Sequence, residues 1–337
     1  MHVRGSTIAV LMAAAVLSPA AFPQARKANR AAVASAPGRP AVLWRNPTDI
    51  QSRNLFYGPG GKEHEPHGTF TFVKEDLAGT NPKFVVEDRD GVKWKVKLGA
   101  EARPETVASR LVWAAGYSAS EDYFVPRLPV RGLPARLHRG WKLVTSDGSV
   151  ADVRLKREPK GEHKIGTWPW RQSPFLATRE LNGLKVLMAV INNWDLKDEN
   201  NAIYQEGPER LYLVSDLGAS FGTAGETRPR EKARGNLDSY IHSRFIHKVR
   251  PNTVDFCVPA RPNYKILVNP REYLRRVRLE WIGKDIPRDD ARWMGRLLAR
   301  LSPQQIRDAF RAAEYSPPEV EAFAKALESR IAALLEL

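Results

Sequence analysis

A chain of 337 residues, 42% hydrophobic and 27% charged, has the composition of a globular protein with room for one large domain or two modest ones. Its formal charge of +15 favours polyanionic partners: nucleic acid, acidic lipid headgroups, cell-wall polymers or nucleotide phosphates. A single cysteine, Cys257, excludes an internal disulfide and any thiolate zinc cluster, and its apolar surroundings "TVDFCVPA" suit a buried small residue.

The N-terminus has the pattern of an export signal. Arg4 precedes an apolar run from Ile8 to Leu17, followed by small residues that suit cleavage after Ala20 or Ala25. The run is short for a membrane span, and no other stretch reaches about 18 apolar residues. Residues 1–25 are therefore expected to direct export to a periplasmic or extracellular location. Residues 26–65, rich in Pro, Gly and Ala without sustained periodicity, predict a linker or extended arm. Within it, "GPGGK" at Gly58 to Lys62 is too short for a phosphate-binding loop and is followed by Glu63 rather than Ser or Thr. His64, Glu65 and His67 lack the further ligands a metal site needs.

Strand signals begin at "GTFTFVKED", where Phe70 and Phe72 alternate with polar residues. "PKFVVEDRDG" ends in an Asp90-Gly91 turn, and "VKWKVKLG" alternates again from Val92 to Leu98. Three successive antiparallel strands are the economical reading. In "RPETVASRLVWAAGY", Val107, Ala108, Leu111, Val112 and Ala115 form one apolar stripe, with Pro104 in the first turn and Gly116 at the stop. Two more strands are expected near residues 122–130 and 149–156. Five strands and one helix make a β-rich first part over residues 66–160.

From residue 161 the pattern turns helical. "LNGLKVLMAVINNW" puts Leu184, Leu187, Met188 and Ile191 on one face. "SPQQ" at Ser302 and "SPPE" at Ser316 are capping-box starts with proline in the first turn. Trp168 and Trp170 read as packing rather than a stacking platform. A β-rich part followed by a helical part is an α+β arrangement, with the junction between them as the natural ligand site.

The chemistry concentrates in "NWDLKDENN", which follows the first of these helices. Phosphoryl transfer needs positive charge on the phosphates, oxygen ligands for magnesium and a carboxylate near the incoming hydroxyl. Asp195 can accept the hydroxyl proton, Lys197 can turn toward a γ-phosphate, and Asn200 offers a neutral oxygen to a hard cation. Eleven residues later the strand "LYLVSD" ends in Asp216-Leu217-Gly218, with a carboxylate suited to the same metal.

Here the sequence resembles the protein kinase-like superfamily. Asp195 to Asn200 match the catalytic loop H-R-D-L-K-P-E-N at Asp, Leu, Lys, Glu and Asn, and "SDLG" resembles the D-F-G element. The resemblance implies a two-lobed kinase-like fold that uses ATP and Mg2+. It implies a phosphate-clamping strand lysine, Lys97 or Lys95, paired with a helix glutamate, Glu105 or Glu101. It also implies phosphate contacts from Gly79 and Thr80. Asn193 and Trp194 replace the family's histidine and arginine, and a Gly-rich G-x-G-x-x-G loop is missing. These departures suit the divergent branches: HipA-type toxin kinases, phosphoinositide kinases and secretory-pathway kinases. Such a protein either transfers phosphate or binds nucleotide as an interaction module.

A competing motif overlaps the second element. "GASFG", Gly218 to Gly222, satisfies G-x-S-x-G, the nucleophile elbow of secreted serine hydrolases, with Ser220 as nucleophile. The residues after it are polar and broken by Pro229, and Asp238 with His242 or His247 is the only acid–histidine set on offer.

Overall fold

The computed structural model describes residues 39–79, 81–159, 161, 163–222, 234–258 and 265–337. The N-terminal stretch expected to direct export and Pro229 both lie outside these residues. In chain order the strands are β1 (Ala41–Val42), β2 (Phe70–Glu75), β3 (Lys83–Glu87) and β4 (Lys93–Leu98). Helix α1 (Ala102–Ala114) follows, then β5 (Asp122–Arg131), β6 (Ser149–Glu158) and β7 (His163–Gly166). After helix α2 (Arg179–Val190) come β8 (Asn201–Glu206) and β9 (Glu209–Val214). Helix α3 (Leu237–His242) precedes the hairpin β10 (Ile246–Val249) and β11 (Thr253–Phe256). The chain ends with α4 (Lys265–Val268), α5 (Pro270–Val277), β12 (Ile286–Pro287), α6 (Arg288–Leu298), α7 (Pro303–Arg311) and α8 (Pro317–Leu335). The architecture is mixed α+β.

Strands β2, β3 and β4 are antiparallel in succession; β4 pairs with β6 and β6 with β5. A short parallel pairing of β5 with β2 closes the set into a barrel. Alternation decides what fills it. Phe84, Val86, Trp94, Val96, Val153 and Leu155 point inward and are buried, while Lys83, Lys95, Lys97 and Arg154 take the opposite face. Helix α1 lies across that outer face, against β5 and β6.

The segment read as an extended arm is anchored from residue 39 onward. Val42 and Ala41 pair with β9, and Leu43, Ile50 and Leu55 are buried. Trp44 Nε1 donates to the Ala115 carbonyl at 2.7 Å, and Arg45 N donates to Gly116 O at 2.9 Å. Gly116 has φ +89°, and a Cβ there would stand 2.2 Å from the Arg45 carbonyl oxygen. Only glycine allows that approach.

In the helical part, Phe221, Tyr240, Phe310, Tyr315 and Phe323 form an aromatic core, with Phe310 and Phe323 stacked at 5.1 Å. Both capping boxes, at Ser302 and Ser316, are present. Arg330 of α8 is buried, its guanidinium 4.1 Å from the Tyr240 ring centroid. It donates to the carbonyls of Ala189 and Val190, the C-terminal orphan acceptors of α2, and to Tyr240 and Ser243. One arginine thus fixes the end of α2, from which the "NWDLKDENN" loop departs.

Replacing Arg330 with leucine removes its buried hydrogen bonds and leaves the Ala189, Val190 and Tyr240 carbonyls only their weaker set of neutral donors, Asn192 N, Tyr240 Oη and Ser243, at a cost of about 1–3 kcal/mol. Urea unfolding of the Arg330→Leu variant should show that loss with an unchanged slope.

Candidate active site

The loop after α2 is built by backbone stapling. Asn192 adopts φ +53° and donates through its side chain to Gly222 O at 2.9 Å and Ser243 Oγ at 3.1 Å. Phe221 N donates to Ile191 O at 2.8 Å, Trp194 N to Ala219 O at 3.2 Å, and Ser215 N to Asn200 O at 2.8 Å. The loop Asp195 to Asn200 therefore runs alongside residues 215–221, and "SDLG" cannot shift without it. Asn193 Oδ1 accepts from Asp195 N at 3.0 Å, and Asn200 Nδ2 donates to Asp195 O at 2.6 Å, closing the loop on itself. From below, Trp170 N donates to Asp198 Oδ1 at 3.1 Å, and Asn201 Nδ2 donates to Trp168 O at 2.9 Å. The two tryptophans pack edge to face at 4.9 Å, both buried.

Lys97 joins the barrel to this loop. Its Nζ lies 2.8 Å from Glu105 Oε2, 3.0 Å from Asp216 Oδ1 and 3.1 Å from Glu101 Oε2. Of the two strand lysines the sequence leaves open, Lys97 meets the helix glutamate. Lys95 pairs with Glu158 at 2.8 Å instead. Of the two glutamates, Glu105 in the first turn of α1 makes the shorter contact, and Glu101 just before the helix joins as well. Lys97, Glu101 and Glu105 are all buried. Burial by itself would lower the Lys97 pKa, but Asp216, Glu105 and Glu101 outweigh it and hold the ammonium above the ordinary lysine range. Burial likewise pushes the Asp216 carboxyl up, yet Lys97 wins and brings it down to about 2.

Behind this cluster, Arg154 of β6 reaches Glu105 at 3.0 Å and Asp122 at 3.4 Å. Burial raises Asp122 despite Arg154. The result is an alternating run, Asp216–Lys97–Glu105–Arg154–Asp122, that crosses from the loop to the far strand of the barrel. Arg154 was legible in principle, since the alternation "DVRLKRE" puts it on the face of β6 that adjoins Lys97. Three further residues had no sequence signal. Asn81, in the loop between β2 and β3, donates to Glu101. Arg234 reaches Glu101 Oε1 at 2.6 Å, and Arg276 of α5 reaches Asp195 Oδ1 at 2.5 Å. Both guanidinium groups lie within stacking distance of the Trp194 ring, at 5.4 and 5.1 Å.

Asp195 also pairs with Lys197 at 3.2 Å. The glycine of "SDLG" is dictated by close approach, because a Cβ on Gly218 would stand 2.7 Å from the Glu101 Cβ. Gly79 has φ +69° in the β2–β3 loop, and its carbonyl accepts from Arg139. Thr80 lies outside the described residues.

The hydrolase alternative finds no support in this geometry. Ser220 is fully buried, and its Oγ has no hydrogen-bond partner among the described residues. His242 pairs with Asp238 at 3.1 Å on the exposed surface of α3, and His247 is exposed on β10. His64 of the "EHEPH" stretch pairs with Glu121 at 3.0 Å. Among the described residues, His, Cys, Asp and Glu form no group of three able to hold a metal. The half-buried Cys257 thiol is pushed up by burial, which disfavours a thiolate nucleophile.

No family model and no curated protein sequence matches the chain. Among solved structures it is similar to CtkA, a proinflammatory kinase of Helicobacter pylori, at 13% identity and a TM-score of 0.45. That match covers 80% of this chain and 98% of the other. It is also similar to golgi casein kinase, at 10% identity and a TM-score of 0.36, covering 80% of this chain and 73% of that one. Both of these proteins are kinases.

Two outcomes follow from the ion network. Lys97→Met leaves Glu101 and Glu105 buried without their shared cation, and should cost about 3–5 kcal/mol in denaturant unfolding. The contribution of Asp216 is present above the ordinary carboxylate value of 3.8 and lost as pH falls through about 2. Asp216→Asn should therefore flatten the acid limb of melting temperature against pH over that window.

Proposed function

We propose that the chain is a divergent, two-lobed member of the protein kinase-like superfamily that transfers phosphate from ATP with Mg2+. In this reading residues 66–160 form the N-lobe, residues 161–337 form the helical C-lobe, and residues 1–25 direct export to a periplasmic or extracellular site. The observation that carries it is Lys97. This one buried ammonium bridges the α1 glutamate and Asp216, 119 positions away, beside the Asp195–Asn200 loop.

The residues present fit a magnesium ion. Asn200 spends its amide nitrogen on Asp195 O, and Asp216 spends Oδ1 on Lys97 and Gly218 N. The Asn200 side-chain oxygen and Asp216 Oδ2 have no partner among the described residues. A small hard cation needs a few such oxygens and draws the remainder from water and phosphate. When bound there, the metal would neutralise charge between the transferring phosphates.

The chain's own groups do the rest. Lys97, held charged and aimed by Glu105, binds the α- and β-phosphates, with Gly79 and Thr80 over them. Asp195 accepts the proton of the incoming hydroxyl. Lys197, beside it, balances the charge that spreads over the transferred group. Rigid placement matters more than covalent chemistry in this reaction, and the stapled loop supplies it.

A second reading, a nucleotide-binding pseudokinase acting as an interaction module, draws on Arg276. At 2.5 Å from Asp195 Oδ1, this guanidinium occupies the carboxylate that a catalytic base must offer.

Thermal-shift titration of the purified chain with ATP should show a rise in melting temperature that depends on Mg2+. Asp216→Asn should lose the metal-dependent part. Asp195→Asn should keep nucleotide binding and lower turnover about a thousandfold. Absence of any nucleotide effect on the wild-type chain overturns the proposal. Binding with no turnover in wild type and Asp195→Asn alike favours the pseudokinase.

A further inference from the structure

Next to Asp195 stands a segment whose outer surface phosphoryl transfer does not use. Helices α4 and α5, joined at Asn269, pack chiefly on each other. Arg276 turns inward, buried, to Asp195 and to the Trp194 carbonyl at 2.7 Å. Several neighbours are open to solvent. Ile266 is exposed, as are Leu274 and Val277, and Leu267 at 86% is the most exposed large hydrophobic among the described residues. Arg271, Arg275 and Arg278 are exposed beside them.

At 100° per residue along α5, Pro270, Leu274 and Val277 share one side. Arg271 and Arg275 border it, and Arg276 falls on a different side, toward the loop. Residues 265–278 carry five basic side chains against one acid, Glu272, in a chain of net charge +15. Exposed aliphatic side chains edged by arginines are costly in water and complementary to one kind of surface. Acyl chains accept the aliphatic groups, and anionic headgroups accept the guanidinium groups.

We propose that α4 and α5 form a docking element for an anionic lipid surface. Ile266, Leu267, Leu274 and Val277 enter the boundary between headgroups and acyl chains, and Arg271, Arg275 and Arg278 meet the lipid phosphates. No helix of the described residues is long and apolar enough to cross a membrane. The contact made by α4 and α5 themselves is peripheral and reversible. Because Arg276 belongs to the same helix, docking brings Asp195 to the membrane surface. The consequence that the phosphate acceptor is presented there rests on the phosphotransferase reading; the docking itself does not.

Co-sedimentation of the full chain with vesicles tests it. The chain should pellet with vesicles of phosphatidylcholine and phosphatidylglycerol, stay in solution with phosphatidylcholine alone, and be released by salt. Leu267→Asp, at a solvent-exposed position, should keep its melting temperature and its nucleotide response yet bind about tenfold more weakly. The double variant Arg271→Gln/Arg275→Gln should bind more weakly by a similar factor. A wild-type chain that ignores anionic vesicles, or binds both compositions equally, overturns the proposal. So does unchanged binding of Leu267→Asp, which would assign the effect to diffuse basic charge. Capture of a protein through this surface without vesicle binding would overturn it in favour of a protein partner. A retained Mg2+-dependent nucleotide shift alongside failed vesicle binding would sink the docking element alone.

Discussion

An ammonium group inside a protein must be paired, and the position of Lys97 makes that requirement organise the whole site. Left alone in the interior it would shed its proton or unfold its surroundings. Three carboxylates from three places in the chain prevent this: Glu101 before α1, Glu105 within it, and Asp216 after β9. Each of these is itself held. Arg154 shares Glu105, Arg234 and Asn81 share Glu101, and the Gly218 amide faces Asp216 at 3.4 Å. A network of this kind is weak evidence for stability, since an apolar replacement of the same shape often stabilises more. Its value lies in geometry. It fixes the distance between the barrel and the loop through one ammonium shared by carboxylates from both.

The loop is held by a different kind of interaction. Where Lys97 uses charge, the stretch from Ile191 to Asn200 uses backbone hydrogen bonds to residues 215–221, plus Arg330 on the last carbonyls of α2. Backbone bonds do not depend on side-chain identity. The hold on the loop therefore does not rest on the side chains at positions 193 and 194 alone. Asn193 still reaches Asp195 N through its side chain, and the Trp194 ring becomes a platform for two guanidinium groups.

Local structure was legible in the sequence because it is decided locally. Alternation placed the strands at Phe70–Glu75, Lys83–Glu87 and Lys93–Leu98, the Pro104–Gly116 pattern placed α1, and Ser302 and Ser316 placed α7 and α8. The short hairpin of β10 and β11 was not read, because "IHKV" and "TVDF" are four residues each and the first is largely exposed. Barrel closure through β5 and β2 was invisible, since a two-residue parallel pairing leaves no trace in either strand. The same limit governs the site. Lys97, Asp195, Asn200 and Asp216 stand in short motifs whose spacing carries meaning. Arg234, Arg276 and Arg330 are single arginines among many, and only tertiary packing distinguishes them from solvated ones. Between Lys95 and Lys97 the strand period gives no answer, because both share a face. The helix supplies it, since Glu105 lies opposite Lys97 and not Lys95.

Arg276 joins the two halves of the molecule's chemistry. It is buried against the carboxylate of Asp195 while its neighbours Arg275 and Val277 face outward. Arg276 thus links the outer surface of α5 directly to Asp195. A contact that shifts α5 by even an ångström lengthens an ion pair of 2.5 Å and leaves Asp195 Oδ1 with Lys197 as its nearer cation. A contact that leaves α5 in place keeps Asp195 paired with Arg276. The energetic requirement is differential affinity, because a surface that binds both positions of α5 equally shifts nothing. The exposed aliphatic groups on α4 and α5 are the part of the molecule best able to supply that difference. Their burial depends on how the helix pair meets its partner.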